Sequence, residues 1–327
     1  MSDFVLRPVA AADLVELCAL HNRAEAHDGV ARAMQLDELC EELDDDHVSF
    51  AADTRVAVRG GVTVGFAYVM FLPSDEGQQR AYVFGHVDPA ARGTGIGRVL
   101  LAWSRDRATE VLQSADNGLP LYIRVEAYDT VTDARHLHAR LGFVPVRYFE
   151  ELLRPLATLP EMHVPDGVEI VAWPIGEGVE RDEEIRLVKN NAFADHWGST
   201  PTPPDRWHQM VHGVGVRPDL SHVAVDSASG GIIAACLNER YESDDALLGR
   251  RDGWIGSLST LPAWRGRGIA SALITRSLHT FADAGCTHAS IAVDGDSPTG
   301  AARLYRSLGF EPQKRSVTSQ IQVESAT

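Results

Sequence analysis

The sequence predicts an α/β fold built twice in tandem. Three observations carry that expectation. First, ARGTGIGRVLL at 91–101 returns as WRGRGIASALI at 264–274, and LHARLGFVP at 137–145 returns as LYRSLGFEP at 304–312. Arg265 follows Arg92 by 173 residues and Gly309 follows Gly142 by 167, so two motifs recur in one order. The six-residue difference falls in the loop Ser114 to Pro120, which has a shorter counterpart near Ala284 to His288. Second, strand-like and helix-like periodicities alternate in both halves. Third, 327 residues suit two domains of roughly 150 residues each.

In the first half the pattern predicts strands at Arg55–Val58, Val62–Met70 and Ala81–Val87. After the repeated motifs, a strand over Val146–Leu153 closes this half. A linker follows, punctuated by Pro155, Pro160 and Pro165, and a new apolar strand opens at Val168. The expected domains are therefore 1–157 and 165–327. In the second half, Ser221–Asp226 and Gly230–Glu239 flank a Ser-Gly-Gly turn and read as a hairpin. Gly253–Leu261 is the third strand. Ile269–Ala284 is a helix with Ile269, Leu273, Ile274, Leu278 and Phe281 on one face, stopped by Gly285. Ala289–Val293 reads as a buried strand and Ala301–Leu308 as a helix stopped by Gly309.

Composition narrows the function classes. The chain is 44% hydrophobic and 23% charged, which excludes a disordered or collagen-like chain and a small disulfide scaffold. Its net charge of −16 repels phosphates and favours cationic small molecules, so nucleic acid is not an expected partner. Cys18, Cys40, Cys236 and Cys286 form no C-x-x-C pair and read as reduced thiols. The longest apolar run, Ile232 to Leu237, is far short of the roughly 20 residues of a membrane span. The expectation is a cytoplasmic protein with no membrane partner, a monomer or a homodimer.

The chemistry is expected where the third strand of each half meets its helix. Gly266, Gly268 and the small Ala270 bare the backbone there, as do Gly93, Gly95 and Gly97. A bare helix N-terminus presents unpaired N–H groups and a partial positive charge, a seat for a pyrophosphate. Arg92 and Arg265 either add charge to that seat or brace the turn. The G-x-G-x-G spacing is neither the dinucleotide fingerprint nor a P-loop.

Taken together, Val87-Asp88-Pro89 with Arg92 to Gly97, Thr260-Leu261-Pro262 with Arg265 to Ala270, and the later LGF motifs resemble the GNAT superfamily of acetyl-CoA-dependent N-acetyltransferases. The resemblance covers nearly the whole chain as a tandem pair. It implies in each domain a mixed, twisted sheet whose strands splay apart to admit the pantetheine arm. It implies acetyl-CoA as cosubstrate and a small-molecule amine as acceptor, attacking the thioester directly. In the second half the arm would pair with Leu258, Ser259 and Thr260. The pyrophosphate would take the loop Arg265, Gly266, Arg267, Gly268, Ile269, Ala270 and Ser271. In the first half the matching set is His86 and Val87, then Arg92, Gly93, Thr94, Gly95, Ile96, Gly97 and Arg98.

The family's general acid is commonly a Tyr on the last helix, here Tyr305. The first half has His138 at that position, which departs from the pattern and points to the second half as the catalytic one. For the base, Glu239 and Asp294 are the candidates, with a water chain to solvent as the alternative. Asn190 to Trp197 and Trp207 are expected to wall the acceptor cleft, with Asp195 suited to an amine. The same Phe193, Trp197 and Trp207 also fit a helix-packing core. His208 and His212, four apart, lack a third metal ligand in sequence. A non-catalytic acyl-CoA-binding protein and a purely structural pseudo-dimer are the competing readings of the duplication.

Overall fold

The computed structural model describes residues 3–30, 32–43, 47–174, 179–295 and 301–325. The first elements are β1 (Val5–Arg7), α1 (Leu14–His27), α2 (Leu36–Leu43), the one-turn α3 (Phe50–Asp53), β2 (Thr54–Arg59), β3 (Val62–Leu72) and β4 (Gln79–Val87). They continue with α4 (Ile96–Ser114), β5 (Leu121–Tyr128), α5 (Thr132–Arg140) and β6 (Val144–Pro155). Then come β7 (Val168–Ala172), α6 (Val179–Phe193), α7 (Pro204–His212), β8 (His222–Asp226), β9 (Ile232–Glu239), the one-turn α8 (Asp245–Leu248) and β10 (Asp252–Thr260). Last are α9 (Ile269–Asp283), β11 (His288–Asp294), α10 (Ala301–Ser307) and β12 (Glu311–Val323). Every strand and helix expected from sequence is present, most with bounds shifted by one or two residues.

The chain divides into two compact units, 1–148 with 316–327, and 149–315. In unit 1 the sheet order is β1-β2-β3-β4-β5-β12, antiparallel except for the parallel β4/β5 pair. In unit 2 it is β7-β8-β9-β10-β11-β6, antiparallel except for β10/β11. The two topologies are the same, as duplication requires. The units are not the two halves of the sequence taken whole. Phe149–Pro155, from the first half, pairs with β11. Ser316–Val323, from the second, pairs with Leu121–Tyr128.

Each unit buries its own core. In unit 2, α9 lays Leu273, Ile274, Leu278 and Phe281 against Ile233, Cys236, Ile255 and Ile291 of the sheet. In unit 1, α4 lays Leu101, Ala108 and Leu112 against Val69, Ala81, Ile123 and Val125. Val323 from the exchanged strand completes that cluster. The four cysteines are free, and among the described residues no helix is long and apolar enough to cross a membrane.

The exchanged strand makes a testable demand on unit 1. Truncation after Arg315 removes the partner of all eight residues of β5 and uncovers the core beside Val317 and Val323. Each buried valine stabilises by about 1.5–3 kcal/mol. Hydrogen exchange should then show β5 amides losing protection while β10 amides keep theirs. Equal loss in both strands would mean that the terminal strand is not a private element of unit 1.

Candidate active site

In unit 2 the turn Pro262–Trp264 leads β10 into the loop ahead of α9. Gly266 and Gly268 have φ of 75° and 85°, the left-handed region open to glycine at little cost. Gly268 is the N-cap of α9 and offers no side chain to the helix. The first amide bonded back into the helix is that of Ala272, to the Gly268 carbonyl. The amides of Ile269, Ala270 and Ser271 therefore remain as donors for an outside anion. Among the described residues, a Cβ on Gly266 would meet nothing within 4 Å, and on Gly268 only Pro165 Cγ at 3.7 Å, so they leave the space over the loop open. Ile269, 1% exposed, roots the helix start in the core and can serve a ligand only through its amide. The loop of unit 1 repeats this geometry, with Gly93 and Gly95 at 75° and 90° and Ile96 buried.

The two loop arginines are engaged in matching side-chain and backbone bonds. Arg265 pairs with Asp195 through Nη1 at 2.5 Å and Nη2 at 3.1 Å, and donates to the Ala192 and Thr260 carbonyls. Arg92 does the same with Asp28, at 2.5 and 2.9 Å, and with the Val87 carbonyl. Each guanidinium ties the end of the unit's long N-terminal helix to its loop, and its donors are engaged there. The pairing also corrects the role expected of Asp195: the hydrogen bonds from Arg265 hold its carboxyl below the usual range, so it is not a free anion awaiting an amine. A brace predicts non-additivity. Arg265→Gln and Asp195→Asn should raise the acetyl-CoA KM to similar extents, and the double variant should be no worse than either. If only Arg265→Gln were damaging, the arginine would be a direct ligand.

Beyond the loop the sheet opens. β10 pairs with β11 only over Asp252–Ile255, although both strands run on, so Gly256–Thr260 has no strand partner on that side. On its other side, Leu258, Ser259 and Thr260 pair with Cys236, Ala235 and Ala234. The split recurs in unit 1, where β4 and β5 pair only over Gln79–Tyr82 with Leu121–Arg124. His86 and Val87 lie on the open run of β4.

One feature belongs to unit 2 alone. The β9/β10 register jumps from Ile255 to Ser257, leaving Gly256 as a bulge without a ladder partner. In unit 1 the β3/β4 register runs unbroken from Gly65 with Val87 to Leu72 with Arg80. Glu239, at the end of β9, lies over the bulge. A Cβ on Gly256 would come within 2.0 Å of Glu239 Oε1, so only glycine leaves room for the carboxylate there. Tyr241 donates its hydroxyl to Glu239 Oε2 at 3.0 Å.

Tyr305, 6% exposed, sits on α10 edge-on to Phe310, with ring centroids 6.0 Å apart. Burial and the neighbouring Cys236 push its phenol well above the usual value, so the hydroxyl stays protonated at any ordinary pH. His138 holds the equivalent place in unit 1, also 6.0 Å from its Phe143. Burial lowers it to about 4, so the imidazole is neutral near pH 7. Asp294 ends β11, half-buried, on the stretch past the split.

The expected aromatic wall is in part core. Trp207 is 3% exposed and stacks on Trp173 at 6.3 Å, inside a cluster with Ile185, Val188 and Leu237. Phe193 remains half-buried beside His196. Asn190 closes its own loop by bonding the Thr202 backbone in both directions. His208 and His212 stack at 4.1 Å, and His212 Nδ1 is bonded to the His208 carbonyl. Arg267 lies over the Trp264 ring at 4.7 Å on the exposed side of the loop. Neither the Gly256 bulge nor Tyr241 was expected from the sequence; a glycine inside a strand pattern, followed across the hairpin by Glu-Arg-Tyr, was the available signal.

Comparison with known proteins agrees with this geometry. Residues 187–310 match the acetyltransferase (GNAT) family and residues 47–145 match an acetyltransferase (GNAT) domain. The mycothiol acetyltransferase of Thermomonospora curvata is 30% identical over 308 residues, covering 90% of this chain and 89% of that one. That of Tsukamurella paurometabola is 30% identical over 242 residues, 71% and 75% of the two chains. Among solved structures, a GCN5-related N-acetyltransferase from Sphaerobacter thermophilus superposes with a TM-score of 0.74 at 25% identity, covering 100% of this chain and 98% of that one. A tandem GNAT protein from the clavulanic acid biosynthesis pathway gives 0.71 at 19% identity, over 99% and 100%, and shares the fold.

Proposed function

We propose that this chain, which belongs to the acetyltransferase (GNAT) family with two such domains in tandem, acetylates the amine of a small molecule in its second unit. Acetyl-CoA is the acetyl donor of this N-acetyltransferase. The residues present suit it: open left-handed glycines, unpaired helix amides and a split sheet in line with them. Its thioester supplies an activated acyl carbon, which the acceptor amine attacks directly. The amides of Gly266 to Ser271 hold the pyrophosphate, and the free edge of Leu258 to Thr260 orients the arm. Glu239 accepts the proton that the ammonium must lose before it can attack, directly or through one water. Tyr305 donates to the sulfur as negative charge develops there. Asp294 has no such seat and is left as a strand-end carboxylate.

The observation that carries this reading is the bulge at Gly256 with Glu239 above it, present in unit 2 and absent from the unbroken ladder of unit 1. Unit 1 keeps the loop and the split, and we assign it acetyl-CoA binding without turnover. The decisive experiment follows CoA release with a panel of primary amines, beginning with the acceptor of the mycothiol acetyltransferases. Glu239→Gln should lower kcat/KM by about 10²-fold or more with little change in acetyl-CoA affinity. Acetyl-CoA binding at both units with no turnover on any amine class would make the chain a binding protein. A fully active Glu239→Gln enzyme would move the base to water.

A further inference from the structure

We propose that unit 1 carries a divalent metal site, with zinc as its first candidate, built from His21 and Glu25 of α1 and His86 of β4. His21 and Glu25 are four apart and share one face of the helix. His86 lies opposite on the strand, two residues before Asp88. One ligand atom from each of the three lies within 4.8 Å of the other two. His86 Nε2 is 3.7 Å from Glu25 Oε1, and the two imidazoles meet edge-on with centroids 4.4 Å apart. Tetrahedral zinc, with bonds of about 2.0–2.1 Å, sets ligand atoms about 3.4 Å apart. Small side-chain rotations bring the trio to that spacing.

Two further observations point to a ligand. His21 Nε2 is buried with no hydrogen-bond partner among the described residues, a state that is costly for a polar nitrogen unless something fills it. The duplication supplies the second, because the molecule contains its own control. The braces align Asp28 with Asp195 and Arg92 with Arg265, which sets His21, Glu25 and His86 against Val188, Ala192 and Ser259. In unit 2 those positions are a buried valine, a buried alanine and a serine bonded to its neighbouring strand. The fold therefore does not require a polar trio at this place. All three positions differ between the two copies, and in unit 1 they bring two imidazole nitrogens and a carboxylate to within 4.8 Å of one another.

The donor set decides the class of ion. Two neutral imidazoles and one carboxylate suit a borderline transition ion over magnesium or calcium, which take oxygen ligands. The carboxylate offsets half of a divalent charge. Three protein ligands leave a position for water. Joining α1 to β4, the ion would clip the helix to the strand that carries His86, one turn from the Asp28–Arg92 brace.

The test uses the full chain, stripped with a chelator and dialysed, with Zn2+ and Co2+ as probes. Calorimetry should show one tight equivalent of Zn2+, and Co2+ should give the visible absorption of a low-symmetry site with nitrogen ligands. The variants His21→Val, Glu25→Ala and His86→Ser introduce the residues that unit 2 already carries, so they are compatible with the fold; circular dichroism and melting check this. Each single change should weaken Zn2+ binding at least about tenfold, and the triple variant should lose the equivalent and the cobalt spectrum together. Zn2+ should raise the melting temperature of the wild type and not that of the triple variant. An unchanged zinc stoichiometry in the folded triple variant, or no tight equivalent in the wild type, would overturn the proposal.

Discussion

Tyr305→Phe should lower kcat by about 10²–10⁴-fold while leaving acetyl-CoA binding close to that of the wild type. The ring is part of the unit 2 core and packs on Phe310, so phenylalanine preserves the packing and removes only the hydroxyl. The loss belongs in kcat because the hydroxyl matters most as charge builds on the departing sulfur. Burial adds a pH signature. A phenol raised above its usual value of 10 stays protonated through the whole working range, so the wild-type rate should show no alkaline fall from this group below pH 10. The matching change His138→Phe should leave turnover nearly unaltered. A full-rate Tyr305→Phe enzyme would assign the proton to solvent, and a large loss from His138→Phe alone would move the chemistry to unit 1.

Gly268→Val should abolish measurable acetyl-CoA binding at unit 2, a fall of about 10²-fold or more. Two effects add. Gly268 holds a φ of 85°, where a residue with a Cβ is strained by about 1–2 kcal/mol and a β-branched one by more. The new side chain also projects into the open space over the loop, where the pyrophosphate must reach the amides. Charge-assisted hydrogen bonds of about 1.5–3 kcal/mol each are at stake. Calorimetry should report one binding equivalent in place of two, and Gly95→Val should remove the other. Unchanged stoichiometry in Gly268→Val would remove the loop from the binding site.

The loops were legible in sequence because their geometry demands a particular residue: a left-handed turn that leaves helix amides bare selects glycine, and the selection is visible twice. The strands themselves were legible for a similar reason, since period-two alternation and turn residues are local. What the sequence concealed was long-range. Arg92 and Arg265 find Asp28 and Asp195 on a distant helix, and in an acidic chain nothing local marks which carboxylates those are. Trp207 fitted both a cleft wall and a helix-packing core, and only its distant partner Trp173, just after β7, decides for the core. Glu239 read as one of two strand-end acids; that it lies over a bulge at Gly256 depends on a register shift between two strands, which no local pattern fixes. The exchange of β6 and β12 was invisible for a plain physical reason. The two strands are copies, each fits the edge of either β5 or β11, and no local pattern says which partner it takes.

That exchange also sets the order in which the molecule is completed on the ribosome. When Phe149–Pro155 emerges, the strand it must pair with, His288–Asp294, does not yet exist. It waits, and unit 2 can close once β11 and then Tyr305 and Phe310, the last pieces of its core, are made. Leu121–Tyr128 waits longer, because its partner Ser316–Val323 follows all of unit 2 in the chain. At about 5–20 residues per second, the roughly 190 residues between them take roughly 10–40 s. Throughout that interval the first-made unit holds an unpaired strand edge, the feature most prone to capture by another chain. Of the two units, the one begun first is thus the one completed second, and slow or stalled translation beyond Arg315 would expose unit 1, not unit 2, to aggregation.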